Sequence, residues 1–139
     1  MPMSPMRQTH FRWYNDNGPL TSNTPMRGED SNLAAVAPGS HMLLRAQSQH
    51  RGDHSLAVAR QLQYRKVGSN VWRQVKSFGT PPYDMPLFYP STWFADGAAI
   101  TTRRLTIPTG TTSAGFKGGQ ARQSETVTST LALGSKEFS

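Results

Sequence analysis

The sequence predicts an all-β fold, an antiparallel β-sandwich of about seven short strands, and three observations support it. Twelve glycines and ten prolines among 139 residues, with an apolar fraction of 35%, are typical of short strands joined by many turns. Stretches in which apolar and polar residues alternate recur along the chain. No stretch of comparable length shows a convincing helical repeat. We therefore expect one domain with a core of modest size.

The clearest element is a hairpin over residues 60–75. Leu62 and Tyr64 alternate with polar residues, and a second apolar run that contains Trp72 follows. Gly68-Ser69-Asn70 lies between the two runs and favours a tight turn, because Gly and Asn tolerate positive φ. Aromatic rings supply much of the apolar area of a small core, so this hairpin is predicted to form the centre of the fold.

The same alternation predicts the remaining strands. They are residues 10–14, 42–48, 103–107, 113–116 and 126–133. Residues 33–37 follow possible capping residues and end before Pro38-Gly39, so they fit a short helix and a short strand equally well. A barrel of the oligonucleotide-binding type is the competing fold, but its five strands are fewer than the pattern supplies.

Residues 1–9 are predicted to form an extended arm in front of a domain that spans residues 10–139. The arm is rich in Met and Pro and has no periodicity, and Pro interrupts both helices and strand ladders. Such a segment becomes ordered when it lies on another surface, so we expect it to clamp a partner. The arm residues expected at the contact are Met1, Met3, Met6 and Arg7.

Residues 77–94 combine six aromatic side chains with four prolines. The prolines exclude a helix and a central strand. Aromatic side chains on a stiff loop lose little entropy on binding, and aromatics are enriched in the cores of interfaces. We expect some of these rings to close the domain core and others to contact a partner. The residues expected at the contact are Phe78, Tyr83, Phe88, Tyr89 and Trp93.

The chain is basic, with 15 Lys and Arg against eight Asp and Glu and a formal charge of +7. Seven of the basic residues and one acid lie between residues 45 and 76. If the strands of this region are neighbours, their outward side chains form a basic face. Such a face suits an acidic partner, either nucleic acid or protein, and equally describes a solvated sheet surface.

No motif in the sequence predicts catalysis, a cofactor or a metal. The chain lacks cysteine, and its four histidines occur with no nucleophile elbow, zinc-protease motif or phosphate-binding loop. His50, Asp53 and His54 are close in sequence, but no apolar framing or fourth ligand accompanies them, so a surface loop is the preferred interpretation. No apolar run approaches the length of a membrane span, and no secretory leader is recognisable. We expect a soluble, non-enzymatic protein with no membrane partner.

Four motifs follow one another along residues 10–138. They are residues 10–18 (His-Phe-Arg-Trp-Tyr-Asn-Asp-Asn-Gly), then Leu43-Leu44-Arg45 leading into residues 61–65 and Trp72, then Asp96-Gly97-Ala98-Ala99 with Thr101-Thr102 and Arg104-Leu105, and finally Leu131-Ala132-Leu133-Gly134 followed by Glu137-Phe138. In order and spacing this set resembles the small immunoglobulin-like β-sandwich domains found in structural proteins of tailed bacteriophages. The aromatic segment over residues 80–94 and the Met- and Pro-rich arm depart from that pattern.

The resemblance implies a virion protein with an immunoglobulin-like sandwich and no catalytic residues. The function we expect from it is that of a capsid decoration (cement) protein, bound to the major capsid protein lattice at the virion surface after synthesis in the host cytoplasm. The resemblance is compatible both with a monomer and with a homo-oligomer. The first alternative is a tail, neck or fibre component built from the same domain. The second is a non-enzymatic nucleic-acid-binding β-barrel, although nucleic acid is the less expected partner.

Overall fold

The protein is strand-rich and contains no helix in the part of the chain that the structure describes. A computed structural model describes residues 6–37, 39–50, 56–77, 87–108, 116–118, 121, 126–131 and 134–138. The all-β class predicted from the sequence is therefore confirmed for these residues. None of them belongs to a helix of the length and hydropathy needed to cross a bilayer.

Ten strands are present among the described residues. They are β1 (Met6–Asn15), β2 (Met42–His50), β3 (Leu56–Gln61), β4 (Gln63–Tyr64), β5 (Arg73–Gln74), β6 (Lys76–Ser77), β7 (Leu87–Phe88), β8 (Phe116–Gly118), β9 (Thr126–Leu131) and β10 (Gly134–Phe138). Strands β1, β2, β10 and β8 form one sheet in that order, and β3–β9, β4–β5 and β6–β7 form separate pairs. The β10–β8 and β6–β7 pairs are parallel, whereas the sequence led us to expect antiparallel pairing throughout.

The long antiparallel pair β1–β2 is the frame of the four-stranded sheet. The strands predicted at residues 10–14 and 42–48 are confirmed, and both extend further than predicted. A register shift lies between Gln8 and His10. Because β1 begins at Met6, the second part of the predicted arm pairs with β2 instead of extending away from the domain. Residues 1–5 lie outside the described residues.

Strand β2 is covered on both faces. It lies between β1 and β10, and five consecutive residues, 45–49, are buried. Successive strand residues point to opposite faces, so a continuous buried run requires cover on each side. Apart from Ala46, these residues are polar or charged. Buried polar groups need hydrogen-bond partners, and strand β1 and the loops around β2 supply them.

Tyr14 is the centre of a cluster of arginines. Its ring is buried, with the guanidinium carbon of Arg104 at 4.4 Å, that of Arg45 at 5.7 Å and that of Arg12 at 5.9 Å from the ring centroid. The negative face of an aromatic ring attracts cations, and the attraction is stronger where water is excluded. The ring therefore compensates part of the cost of burying Arg45, whose exposed fraction is 1%.

Backbone carbonyls accept hydrogen bonds from the terminal nitrogens of these guanidinium groups. Arg45 donates from Nη1 to the Thr102 carbonyl at 3.1 Å and from Nη2 to the Leu20 carbonyl at 2.8 Å. Arg104 donates to the same Leu20 carbonyl at 3.3 Å and to the Asn23 carbonyl at 2.8 Å, and also to the Asn23 side-chain oxygen. The two arginines thereby attach the irregular segment after β1 to the central strand.

Gln47 attaches a second irregular segment to β2. With its amide oriented so that both polar atoms are satisfied, Gln47 donates to the Thr106 carbonyl at 3.1 Å and to Thr9 Oγ1 at 2.7 Å, and it accepts from Arg103 Nη1 at 3.2 Å. Residues 103–107 form no strand, so that prediction is wrong. The backbone of this segment bonds to side chains of other elements, and alternation in the sequence cannot reveal such bonds.

In the part of the chain whose burial the structure describes, an apolar core cluster lies beside the polar one. It consists of Leu20, Ile100 and Ala121, with Leu43, Phe94 and Ala98 packed against it. Strand β8 approaches this core so closely that a Cβ atom at Gly118 would collide with the carbonyl oxygen of Ile100. Glycine is therefore required at position 118 by contact with backbone, which cannot move aside as a flexible side chain can.

The hairpin predicted at residues 60–75 is present, but it is not the centre of the fold. Strands β4 and β5 pair, and Gly68 has a φ of +86° in the connecting turn. However, Leu62 is 41% and Trp72 is 57% exposed. The prediction that this hairpin forms the core is therefore wrong. Alternation of apolar and polar residues shows which face of a strand is apolar, but it does not show whether another element covers that face. Val75, directly after β5, is buried.

Substitution Gly118→Ala tests the close approach of β8. Its Cβ clash requires the backbone of β8 or of Ile100 to shift, so we expect a loss of at least about 2 kcal/mol in the free energy of unfolding, measured by urea denaturation. The matched control is Gly28→Ala, where the nearest atom is Ser31 Oγ at 3.4 Å. The control is expected to stay within about 0.5 kcal/mol of the parent. Equal effects of the two substitutions would contradict the packing described.

Candidate functional site

The aromatic segment divides into exposed and packed rings in its described part. Tyr89 is 46% and Trp93 is 49% exposed, whereas Phe88 in β7 is half-buried. Phe94 packs against the apolar core. The described part of the segment thus combines rings that face solvent with a ring that packs inward. Tyr89 and Trp93 are available for contact with a partner.

Specific contacts hold the Tyr89 ring and the backbone of Trp93 in place. The Tyr89 ring stacks on His41 with centroids 3.7 Å apart and an interplanar angle of 28°. Ser91 Oγ donates to Asp16 Oδ1 at 2.6 Å and accepts from the backbone N–H of Trp93 at 3.1 Å. Because these bonds fix the loop before any partner arrives, little conformational entropy is lost on binding.

The other predicted contact residues are distributed differently. Met1, Met3, Phe78 and Tyr83 lie outside the described residues. Met6 is the first residue of β1. Arg7 is exposed on the same strand and donates from Nη2 to Gln49 Oε1 at 3.4 Å. The structure therefore describes three of the predicted ring residues and the strand-bound end of the predicted arm.

The hairpin of β4 and β5 carries an exposed surface that we had assigned to the core. Val67, Val71 and Trp72 are exposed at or near the turn. The Arg65 guanidinium lies over the Trp72 ring at 4.9 Å from its centroid, and Arg73 is exposed as well. Three residues of the predicted basic face, Arg65, Lys66 and Arg73, are exposed in this hairpin. Arg45, expected on that face, is instead buried and does not contribute to it.

A third candidate site forms where the chain after β1 folds back along the outer edge of that strand. The Met26 N–H donates to the Trp13 carbonyl at 2.9 Å, and the Asp30 N–H donates to the Phe11 carbonyl at 2.7 Å. An edge strand otherwise presents unpaired backbone groups, and this return segment covers them. Asp30 has a φ of +60°, which Asp tolerates better than most residues.

The return segment brings two carboxylates to one imidazole. His10 Nδ1 lies 2.6 Å from Asp30 Oδ2 and 3.2 Å from Glu29 Oε1. The other oxygen of each carboxylate accepts a backbone N–H: Asp30 Oδ1 from Phe11 at 2.9 Å, and Glu29 Oε2 from Thr106 at 3.0 Å. Both carboxylates are therefore fixed from outside and turned toward His10.

The environment lowers the pKa of Asp30. Burial alone would raise this pKa, but the hydrogen bond with His10, the hydrogen bond from the Phe11 N–H and the charge of His10 outweigh burial. The carboxyl pKa lies below its usual value of 3.8 as a result. The ionised carboxylate is thus the form that the folded protein favours.

A cavity of about 280 Å³ adjoins the His10 side of this cluster. Its lining residues are Arg7, Gln8, Thr9, His10 and Pro108. The cluster is therefore accessible from solvent along β1. Sequence reasoning did not find it, because Glu29 and Asp30 lie about twenty residues after His10 and meet it only when the return segment pairs with β1. No spacing motif carries that information.

The described residues thus present the exposed rings Tyr89 and Trp93, the basic hairpin around Trp72, and the cluster around His10. Comparisons of the chain with family models, with curated proteins and with solved structures gave no match. The chemistry of these three surfaces is consequently the basis for assigning a function.

The lowered pKa of Asp30 predicts an acid-sensitive contribution to stability. Its folded pKa lies below the unfolded value, so the contribution is complete above pH 3.8 and is lost as the pH falls through the folded pKa. Because the Asp30 side chain is 42% exposed, we expect at most about 0.5 kcal/mol. An NMR titration of the Asp30 carboxyl carbon with a chelator present should give a midpoint below 3.8. A midpoint at or above that value would show that burial dominates.

Proposed function

We propose that the chain is a structural protein of a tailed-bacteriophage virion, a decoration (cement) protein that binds the assembled shell of the major capsid protein. The resemblance of residues 10–138 to immunoglobulin-like virion domains supports this proposal, as does the all-β character of the described residues. We also propose that the all-β chain folds as an immunoglobulin-like sandwich of about seven strands. Its biochemical role is binding without catalysis.

The exposed pair Tyr89 and Trp93 is the observation that carries the proposal. The two large rings are each about half exposed; a stack on His41 holds the Tyr89 ring, and the hydrogen bonds of Ser91 hold the backbone of Trp93. Tyr and Trp are among the residues that contribute most binding energy at interfaces. A small domain that presents such rings on a fixed loop is suited to occupy a repeated site on a lattice.

By mass action, binding of this protein is expected to stabilise the assembled capsid. A protein that binds assembled subunits more tightly than free ones stabilises the assembly by an amount set by its affinity and concentration. The positive charge of the chain, +7, suits an acidic capsid surface and accelerates encounter with it. The N-terminal arm remains part of the proposal as a clamp on a neighbouring subunit.

A nucleic-acid-binding role is the second candidate, and the β4–β5 hairpin favours it. Arg65 and Trp72 combine a cation with a ring, and Lys66 and Arg73 add positive charge nearby. Proteins that bind single strands use basic surfaces together with aromatic stacking platforms. Binding of this type weakens steeply as the salt concentration rises, so titration of a labelled oligonucleotide at two salt concentrations distinguishes it from capsid binding.

Substitution of both exposed rings tests the proposal on capsids that lack the protein. We expect Tyr89→Ala combined with Trp93→Ala to weaken co-sedimentation with expanded capsids by about tenfold or more, because each ring contributes on the order of 1–2 kcal/mol. The matched control is Trp72→Ala, which removes a similarly exposed ring from the hairpin and is expected to change the affinity less than about twofold. If only Trp72→Ala lowered the affinity for capsids, the hairpin and not the aromatic segment would be the contact surface.

Electron microscopy of virions with a tagged, gold-labelled copy of the chain tests location directly. Label over the whole head is the expected result. Label restricted to the tail or neck would support the tail alternative built from the same domain. Particles without label would contradict a virion role altogether.

A further inference from the structure

Three side chains with the chemistry of metal ligands converge at the outer edge of β1. The Nδ1 atom of His10 and one carboxylate oxygen each of Glu29 and Asp30 lie within 4.8 Å of one another. We propose that these residues bind a divalent transition-metal ion, with zinc as the metal whose ligand preferences fit best. This inference does not depend on the proposed capsid contact.

The distances between the donor atoms of His10, Glu29 and Asp30 fit tetrahedral coordination of a metal ion if the side chains move slightly. Metal–ligand bonds of about 2.0–2.2 Å place tetrahedral donor atoms about 3.3–3.5 Å apart. The His10–Glu29 distance is 3.2 Å, and the His10–Asp30 distance of 2.6 Å needs to open by less than about 1 Å. A small rotation of the His10 side chain provides such a movement while the two carboxylates keep their backbone hydrogen bonds.

The surrounding backbone orients the ligands as a metal site requires. The Phe11 N–H holds Asp30 Oδ1, and the Thr106 N–H holds Glu29 Oε2, so the two remaining oxygens face the imidazole. Hydrogen bonds of this kind to ligating carboxylates fix their orientation and raise metal affinity. The Asp30 N–H also bonds to the Phe11 carbonyl, which anchors this ligand at its backbone.

The donor set selects among metals. An imidazole nitrogen with two carboxylate oxygens suits zinc and its neighbours, whereas calcium prefers six to eight oxygen ligands and magnesium keeps most of its water. The nitrogen ligand also distinguishes this set from an ordinary exposed acidic cluster. The adjoining cavity of about 280 Å³ leaves room for water as a fourth ligand.

Binding would join three segments of the chain. His10 belongs to β1, Glu29 and Asp30 belong to the return segment, and Thr106 holds Glu29 from the segment after Ile100. A metal at this point therefore adds a further connection between β1 and the return segment, which are already joined by backbone hydrogen bonds. Because the ligands meet only in the folded chain, metal binding stabilises the fold by mass action.

The test uses the full chain, freed of metal by a chelator and then dialysed. Isothermal titration with zinc chloride is expected to show one equivalent bound and to raise the melting temperature, while magnesium chloride does neither. His10→Ala and, independently, Glu29→Gln should each weaken zinc binding by at least about tenfold. The control is His41→Ala, which removes an exposed histidine remote in sequence and should leave zinc affinity within about twofold.

NMR of the histidine rings identifies the binding residue even if one variant fails to fold. Zinc should shift the imidazole resonances of His10 before those of the other three histidines. Failure of zinc to bind at millimolar concentration would overturn the proposal. It would equally be overturned if the parent and both ligand variants bound zinc with the same affinity, or if the first resonances to shift belonged to another histidine.

Discussion

The burial of Arg45 is the constraint on which the rest of the structure depends. A guanidinium is a charged group with only N–H donors, so its transfer from water requires hydrogen-bond acceptors and polarisable groups arranged around it. Here the Tyr14 ring and the carbonyls of Leu20 and Thr102 provide that environment. Those carbonyls belong to irregular segments that precede and follow β2 in the sequence. The hydrogen bonds of Arg45 therefore hold in place two loops that do not pair as strands. Arg104, in the segment after Ile100, likewise donates to the carbonyls of Leu20 and Asn23.

This polar framework also positions the candidate sites. The segment after β1, held by the two arginines, carries Asp16, which bonds to Ser91 and so fixes the exposed rings. The segment held by Gln47 carries Thr106, whose N–H orients Glu29 toward His10. Among the described residues, side-chain-to-backbone hydrogen bonds position these loops together with the apolar contacts around Leu20 and Ile100. Stability and site geometry are consequently coupled, and a substitution in the framework affects both.

The sequence was informative where local pattern decides structure. Alternation identified β1, β2 and β9, and turn chemistry identified the hairpin of β4 and β5. It failed for residues 103–107, whose backbone partners are distant side chains, and for Trp72, whose exposure depends on what covers the hairpin. Arg45 was expected on a basic surface, because a single sequence gives no sign that a charge has buried partners. The cluster at His10 depends on chain reversal and was not predicted. Outside the described residues, the contacts proposed for Met1, Met3, Phe78 and Tyr83 stay predictions.

The central claim is that buried guanidinium bonds, and not apolar packing alone, hold the loops on β2. Urea denaturation of Arg45→Met against the exposed control Arg65→Met tests it most directly. Methionine fills similar space but donates no hydrogen bond, so we predict a loss of about 2–4 kcal/mol for Arg45→Met and at most about 0.5 kcal/mol for Arg65→Met. Some buried charges are replaced by apolar side chains without loss. An Arg45→Met variant as stable as its parent would place this arginine among them and contradict the account.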